Sequence, residues 1–498
     1  MAYIEVARNV ADGSGVVTHV LPIGFHGPGL APFTNQAPGF PLLLAPLLLA
    51  GIDGRDAAVL VAALAGLAAF ALFVLLVRRA DARLAAPLAF LYAVGQPFAE
   101  TANHALSEPV FLALLFAALL VGSGGRDAPF PGSPRRAFAT GLLSGSLLTL
   151  RYAGFAATAL LGALAAGRAF SSGERGRTGR RALLSWSAGT LLAMAPVLCT
   201  ALAGMGVGER PPARQGFARN LVWCAGHAGK DVVLTLPWIR PSEWIHGPIG
   251  FAALLAGPLA LAWHAWRRRG APSDGERIRL DPVLLFACIF PIAHVAWLSA
   301  VRSVVHFNSW PTRHLVPMYP FLLLGIASTF LPAIAGERDG ASDPPSPRSR
   351  RTVASLAAAL IALYAVGNIA RVAEDVRDPK PALDLAEVAG WLARNAPPDD
   401  AILATEPEAL AHALPGRRVI ALVRWPYRVR DLEASDLPRL RAEQGARWLV
   451  LLSARAHEIA AGAYGTYVKS LVERRGEPDF TLAAEVPGAL IFRLKEAP

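Results

Sequence analysis

Apolar residues run along this chain in long blocks separated by short polar segments, and the blocks have the length of membrane crossings. A bilayer core needs ~20 mostly apolar helical residues, and windows of about that length occupy 57–77, 105–122, 183–203, 248–266, 280–300, 315–335 and 352–370. Three shorter windows lie at 84–98, 138–150 and 152–166. The segments Arg78–Arg83, Ser123–Arg136, Gly167–Arg181, Arg267–Arg279 and Gly336–Arg351 are short and arginine-rich, which assigns all five to the cytoplasmic side. Two of them flank 138–166, so that stretch must cross an even number of times, as two short helices turning near Arg151 and Tyr152. A single helix would hold Arg151 near mid-bilayer, at ~2.5–3.5 kcal/mol on insertion scales. Ten crossings follow, with 99–104, 204–247, 301–314 and the chain beyond about residue 371 on the outer side.

The same parity puts residues 1–56 outside. Met1 to Phe25 has no basic stretch followed by an apolar core, so the expectation is that a first transmembrane helix precedes this chain. Residues 2–11 predict a short helix with Tyr3, Val6, Ala7 and Val10 on one face, ended by Gly13 and Gly15. The run Pro38–Gly51 is apolar but broken by prolines and suits the membrane interface. From Lys380 the pattern changes. A helix at 383–395 is followed by apolar runs at 401–404, 419–423 and 448–452, with amphipathic stretches at 436–444 and 457–474. That alternation predicts a small α/β domain. The expected fold class is an all-α polytopic membrane domain of about ten helices (57–370), preceded by an outer loop (1–56) and followed by an extracytoplasmic α/β domain (380–498).

Composition narrows the class further. The chain is 54% hydrophobic and 17% charged, with a mean hydropathy of +0.40, which excludes a water-soluble protein of this length. The formal charge of +11 comes from arginines in the loops, so it orients a membrane protein and does not indicate nucleic acid. Cys199 and Cys288 fall within apolar runs, and an odd cysteine count argues against a disulfide framework or a metal cluster. The α/β segment holds no GxGxxG and no P-loop.

Ionisable residues are sparse inside the apolar windows. His294 reads as a core residue, and the polar groups gather in the outer segments: Glu5, Arg8, Asn9 and Asp12; Glu100, His104 and Glu108; Arg151; Arg302, His306, Arg313 and His314. Ion-coupled transporters place such groups at the midplane, so a transporter or lipid-linked glycan flippase is disfavoured. Arginines at helix ends beside carboxylates suit a ligand with a buried lipid tail and an anionic phosphate at headgroup depth. Interfacial anchoring and helix capping are the competing explanations for Arg8, Arg302, Arg313 and Glu108.

The stretches YIEVARNVADGSG (3–15), QAPGFPLLLAPLL (36–48), ALSEPVFLALL (105–115), GLLSGSLLTLRYAGF (141–155) and RHLVPMYPFLLL (313–324) together resemble the GT-C superfamily of polytopic glycosyltransferases. They are most similar to bacterial relatives of the dolichyl-phosphate-mannose-protein mannosyltransferases and lipid A aminoarabinose transferases. The resemblance implies a bacterial inner-membrane enzyme that takes a sugar from a polyprenyl-phosphate-linked donor to a lipid, glycan or protein acceptor. It implies a carboxylate base in the first outer loop just before Tyr3, a place this sequence fills with Met1 and Ala2. It further implies phosphate contacts for Arg8, Arg302 and Arg313, and a catalytic cluster of Glu108, Glu100 and His104. Tyr3, Glu5, Asn9, Arg151, Tyr152, His306 and His314 would complete the substrate contacts. No nucleotide or metal is demanded, although a divalent ion is compatible. A non-catalytic assembly subunit on the same scaffold is the alternative.

Overall fold

The computed structural model describes residues 2–22, 30–33, 36–95, 107–124, 130–131, 133–167, 169–170, 173–203, 216–233, 243–269, 281–304, 314–325, 385–422, 432–453, 456–460, 464–473 and 478–495, with isolated positions between 327 and 369. Helix α1 (Ala2–Ala11) and helix α2 (Gly39–Leu49) precede the first long membrane helix, α3 (Gly54–Ala80). Asp53 begins α3 by accepting from the Arg55 N–H at 2.8 Å, and Arg78 and Arg79 sit in its last turn, where cations favour the negative end of the helix dipole. Leu60, Leu64, Leu67 and Leu75 are exposed along one side of α3, while Phe73, Leu76 and Val77 are buried on the other. An apolar helix that exposes leucines is adapted to lipid.

Among the described residues three helices are long and apolar enough to cross a bilayer: Gly54–Ala80, Gly176–Leu202 and Pro282–Ser303. This corrects the expected ten. The other apolar helices, Gly39–Leu49, Ala82–Val94, Glu108–Ser123, Gly154–Ala166, Pro248–Leu259 and Val316–Gly325, have 10–17 residues, roughly 15–25 Å of helix against a ~30 Å hydrocarbon core. Boundaries of three of them fall beside residues where the backbone leaves helical geometry. Gly95 and Arg151 are extended, and Gly124 takes φ 58°. The window 352–370 lies almost wholly outside the described residues.

The break at Arg151 separates α6 (Pro134–Leu150) from α7 (Gly154–Ala166), after α4 (Ala85–Val94) and α5 (Glu108–Ser123). Helix α6 crosses α8 (Gly173–Ala203) at very short range: Gly141 faces the Trp186 carbonyl, Gly145 faces the Thr190 carbonyl, and Gly189 faces the backbone of Phe138. The Thr149 hydroxyl donates to the Ala193 carbonyl at 2.6 Å. Small residues four apart with a hydroxyl across the seam are the usual solution where apolar side chains alone give no driving force between helices in lipid. Helices α9 (Phe217–Val233), α10 (Glu243–Arg269), α11 (Pro282–Val304) and α12 (Val316–Gly325) complete the described bundle.

Strands β1 (Val17–Thr18) and β3 (Ala31–Pro32) pair antiparallel in the opening loop, and the C-terminal region is a mixed six-stranded sheet in the order β2-β5-β4-β6-β8-β7. Strands β4 (Ala401–Ala404), β5 (Val419–Ala421) and β6 (Ala446–Leu452) are parallel, and β8 (Ala489–Leu494) and β7 (Phe480–Val486) close the sheet as an antiparallel hairpin. Strand β2 (Val20–Pro22) comes from the opening loop and pairs in parallel with β5, Val20 opposite Val419 and Leu21 opposite Ile420. Successive residues of the strands alternate between two cores. Leu21, Leu403 and Ile420 pack with Leu437 and Leu440 of α15 (Leu437–Gln444) and Val468 of α17 (Thr466–Glu473). Val20, Ile402 and Val419 pack with Val388 of α13 (Ala386–Asn395) and Leu410 of α14 (Pro407–Ala413). The short α16 (Ala456–Ala460) lies between α15 and α17 in the chain.

Helix α1 lies between bundle and sheet. Its Ile4 and Ala7 share an apolar cluster with Phe40, Leu44, Ala57, Val110 and Leu150, and it also packs on α14.

Candidate functional site

Two buried polar groups adjoin the layer formed by α1 and α2. The first spans four chain segments. Glu108, the first residue of α5, is fully buried and forms an ion pair with Arg151, the extended residue that ends α6. Arg151 is itself buried, and its Nη2 donates to Nδ1 of His314 at 3.1 Å. The carbonyl of His314 accepts from Nε2 of His294, a buried residue of α11, at 2.8 Å. Glu108 immediately precedes Pro109 at a helix N-terminus, where both the dipole and the arginine favour its charge. Val110 and Leu150, neighbours of the pair in sequence, touch the α1 and α2 cluster. The ionic group therefore lies directly beneath that layer.

The second group ties α1 to β2. Glu5 is 5% exposed. Its Oε1 accepts from the His19 backbone N–H at 2.5 Å, from His19 Nδ1 at 3.0 Å and from Asn9 Nδ2 at 3.3 Å, and its Oε2 accepts from the Thr18 hydroxyl at 2.7 Å. Asn9 also donates to the Val17 carbonyl at 2.8 Å. A carboxylate only accepts, and here its lone pairs are engaged by the chain itself. Glu5 and Asn9 stood out in the sequence at helical spacing. Thr18 and His19 did not, because nothing in the pattern shows that the loop folds back over 13 or 14 residues.

The remaining sequence candidates are distributed around these groups. Tyr3 is half-buried, edge-on to Phe33 and Phe40 at centroid distances of 6.3 and 5.2 Å. Arg8 is half-buried near Gly54 and Asp53. The Asp53 carboxyl is held below its usual range, chiefly by the Arg55 N–H, with Arg8 a smaller contribution. Tyr152 donates its hydroxyl to the Gln36 carbonyl at 3.4 Å, and its own carbonyl accepts from Trp297 Nε1 at 3.3 Å. Arg302 is not part of the Arg151 group: its guanidinium lies 3.4 Å from the centroid of Trp223 on α9. Such stacking suits arginine at a desolvated aromatic face. Beside it, Asn220 donates to Ser303 at 3.0 Å. Glu100, His104, His306 and Arg313 lie outside the described residues. Among the described residues no three of His, Cys, Asp or Glu converge as a metal set.

No protein-family model matches the sequence, and no curated protein does. Among solved structures, the chain is similar to ArnT from Cupriavidus metallidurans in the apo state, with a TM-score of 0.53 and 14% identity over 99% of this chain and 92% of that one. At this identity the likeness is one of fold. Two oligosaccharyltransferase structures from Archaeoglobus fulgidus align at a TM-score of 0.49. One, AglB in complex with an inhibitory peptide and a dolichol-phosphate, is 14% identical and aligns over 93% of this chain and 66% of its own. The other, in the apo form, is 12% identical, over 99% and 70%. Within this fold, α1 and the helix ends that carry Glu108, Arg151 and His314 share one end of the bundle.

Proposed function

We propose that the chain is a membrane glycosyltransferase that moves a sugar from a polyprenyl-phosphate-linked donor to an acceptor hydroxyl or amine at the outer face of the membrane. The observation that supports it is the ionic group of Glu108, Arg151 and His314, set at helix ends beneath the amphipathic α1 of a GT-C fold. A donor with its tail in lipid and its phosphate at headgroup depth meets these groups at the same level. The acceptor O–H or N–H attacks the anomeric carbon, its proton passes to a base, and the bond from that carbon to the phosphate oxygen breaks. The lipid phosphate leaves with the electron pair. Polar donors aimed at that phosphate act where charge grows, and general-base help is typically worth ~10²–10⁴-fold. Glu108 with Glu100 and His104 remains the proposed acceptor-side cluster, with Arg8, Arg302 and Arg313 on the phosphate side; no resident cofactor is required.

A second reading, a non-catalytic binding subunit, is favoured by one specific feature: the buried carboxylates of Glu5 and Glu108 are both already engaged by side chains of the chain. Proteoliposomes of the purified chain, given radiolabelled polyprenyl-phosphate sugars and mixed envelope lipids and peptides as acceptors, separate the two. Release of polyprenyl phosphate with label on an acceptor supports the transferase. Donor binding without release supports the subunit, and neither binding nor release removes both.

A further inference from the structure

Two tryptophans of the C-terminal sheet region touch each other but differ in what they face. Trp448 on β6 is 5% exposed, and its Nε1 donates to Asp400 at 2.9 Å. Trp391 on α13 meets it in a T-shaped contact, with ring centroids 5.6 Å apart and planes at 76°, yet is only half-buried. It packs on the core that holds Val388 and Leu410. Together with Ala386, Glu387, Gly390 and Arg394 of the same helix, and Val486 at the end of β7, it also lines a cleft of about 390 Å³. Small-ligand sites have volumes from roughly 300 Å³ upward.

The chemistry of the cleft follows from the spacing on α13. Glu387, Trp391 and Arg394 are four and three residues apart, so they share one face of the helix, with the acid and the guanidinium ~10 Å apart along the axis and the indole between them. Glu387 and Arg394 are exposed. Gly390 keeps the surface beside the indole low, and Arg394 Nη1 lies 3.5 Å from where a Cβ would stand. A carboxylate only accepts and a guanidinium only donates. An occupant seated over the indole therefore needs an apolar underside, O–H donors at one edge and oxygen acceptors at the other. A pyranose meets all three requirements: its C–H bonds present a weakly positive face to the negative face of the aromatic ring, and its hydroxyls both donate and accept. A fatty chain has no polar edges, and a phosphate meets the Glu387 charge. An extended peptide gains affinity by pairing its main chain with a sheet edge, and a helix face offers none.

We propose that this cleft binds a pyranose unit of a saccharide, with Trp391 as the platform and Glu387 and Arg394 as the groups that read its hydroxyls. The contact with Trp448 fixes the indole before the sugar arrives, which limits the ordering cost of binding. Helix α13 lies on the same face of the sheet as α14, which packs on α1, so the saccharide is held on the face that meets the opening helix. The proposal rests on the cleft alone and does not require the chain to transfer sugar.

Isothermal titration of the full chain in lipid nanodiscs with maltohexaose, cellohexaose, mannohexaose and chitohexaose tests it. No lipid-linked donor is present, so the outcome is separate from that of the transferase assay. Binding of at least one oligosaccharide is expected, and saturation-transfer NMR should mark the C–H protons on one face of a sugar ring. Glu387→Gln and Arg394→Gln alter exposed side chains, so they should leave thermal unfolding unchanged while weakening binding roughly 10-fold each, the scale of a hydrogen bond to a charged group. Trp391→Ala should weaken it by roughly 10-fold or more, and Trp391→Phe, which keeps a smaller platform, should retain most of the affinity. No binding of any of the four oligosaccharides, or binding indifferent to all three positions, overturns the proposal. Binding of a proline-rich peptide that depends on Trp391, with no oligosaccharide bound, overturns the saccharide assignment.

Discussion

Glu108 and Arg151 are an ion pair sealed inside the bundle, joining the first turn of one helix to the residue that ends the next described one. Removing one partner strands a charge, which typically costs about 3–5 kcal/mol. Glu108→Gln and Arg151→Met should each lower the unfolding temperature in detergent markedly. The double variant should be less destabilised than the sum of the two, because no lone charge remains. Additive effects in that double-mutant cycle would show that the pair is not coupled.

The Glu5 carboxylate is the knot that closes the opening loop. In Glu5→Gln, one oxygen becomes an NH₂ facing donors from Thr18 or His19. A buried unsatisfied group costs about 1–3 kcal/mol. Hydrogen exchange should quicken at residues 17–20 and, through β2, at the β5 edge. Unchanged protection at both places would sever the proposed coupling between Glu5 and the sheet.

How much of this was legible beforehand depends on the range of each interaction. Helix α1, the turn at Arg151 and strands β4, β5 and β6 follow from local apolar pattern and lie where that pattern puts them. Strand β2 does not, since Val20–Pro22 is three residues long and its partner Val419 is about 400 residues away. Among the described residues fewer helices are long enough to cross than the apolar windows suggested, because apolarity alone does not register where Gly95 or Gly124 leaves the helical path. Glu108, Arg151 and His314 were each visible as polar residues at apolar borders. Their mutual contact was not, because each lies in a different segment and only packing brings them together.

Leu21 is fully buried in the sheet core with Leu403, Ile420 and Leu449. Leu21→Ala should therefore destabilise the C-terminal region, although the substitution lies in the opening loop. Large-to-small changes at such sites cost about 2–5 kcal/mol. Limited proteolysis should cut residues 385–495 faster in the variant; cleavage confined to the loop around residue 21 would contradict the shared sheet.

Gly145 lets α6 approach α8 because an added Cβ would meet the Thr190 carbonyl and come within 2.8 Å of Ala193 Cβ. Gly145→Leu must push the helices apart and break the Thr149 bond to the Ala193 carbonyl. Overpacking typically costs about 1–3 kcal/mol. On the lipid-facing α3, a Cβ added at Gly66 would meet no atom within 4 Å, so Gly66→Leu serves as the control. Equal unfolding temperatures for the two variants would refute the close crossing.

His412 sits in α14, the helix of the sheet region that packs on α1. Burial holds its imidazole below the ordinary value of 6.5, the Arg8 cation pushes the same way, and Asp53 opposes them. A histidine whose folded pKa is depressed stays neutral in the native state while the unfolded chain takes up a proton. Its contribution to stability is whole above about pH 6.5 and declines as the pH falls toward the lower folded value. The contact between α1 and α14 should therefore loosen in mild acid. His412→Gln removes the titrating group, so the loss of thermal stability between pH 7.5 and 5.5 should be smaller in the variant than in the unaltered chain. Arg8→Gln should shift the acid limb to lower stability loss as well, because one of the cations opposing protonation is gone. Identical pH profiles for the unaltered chain and His412→Gln would assign the acid sensitivity to other groups.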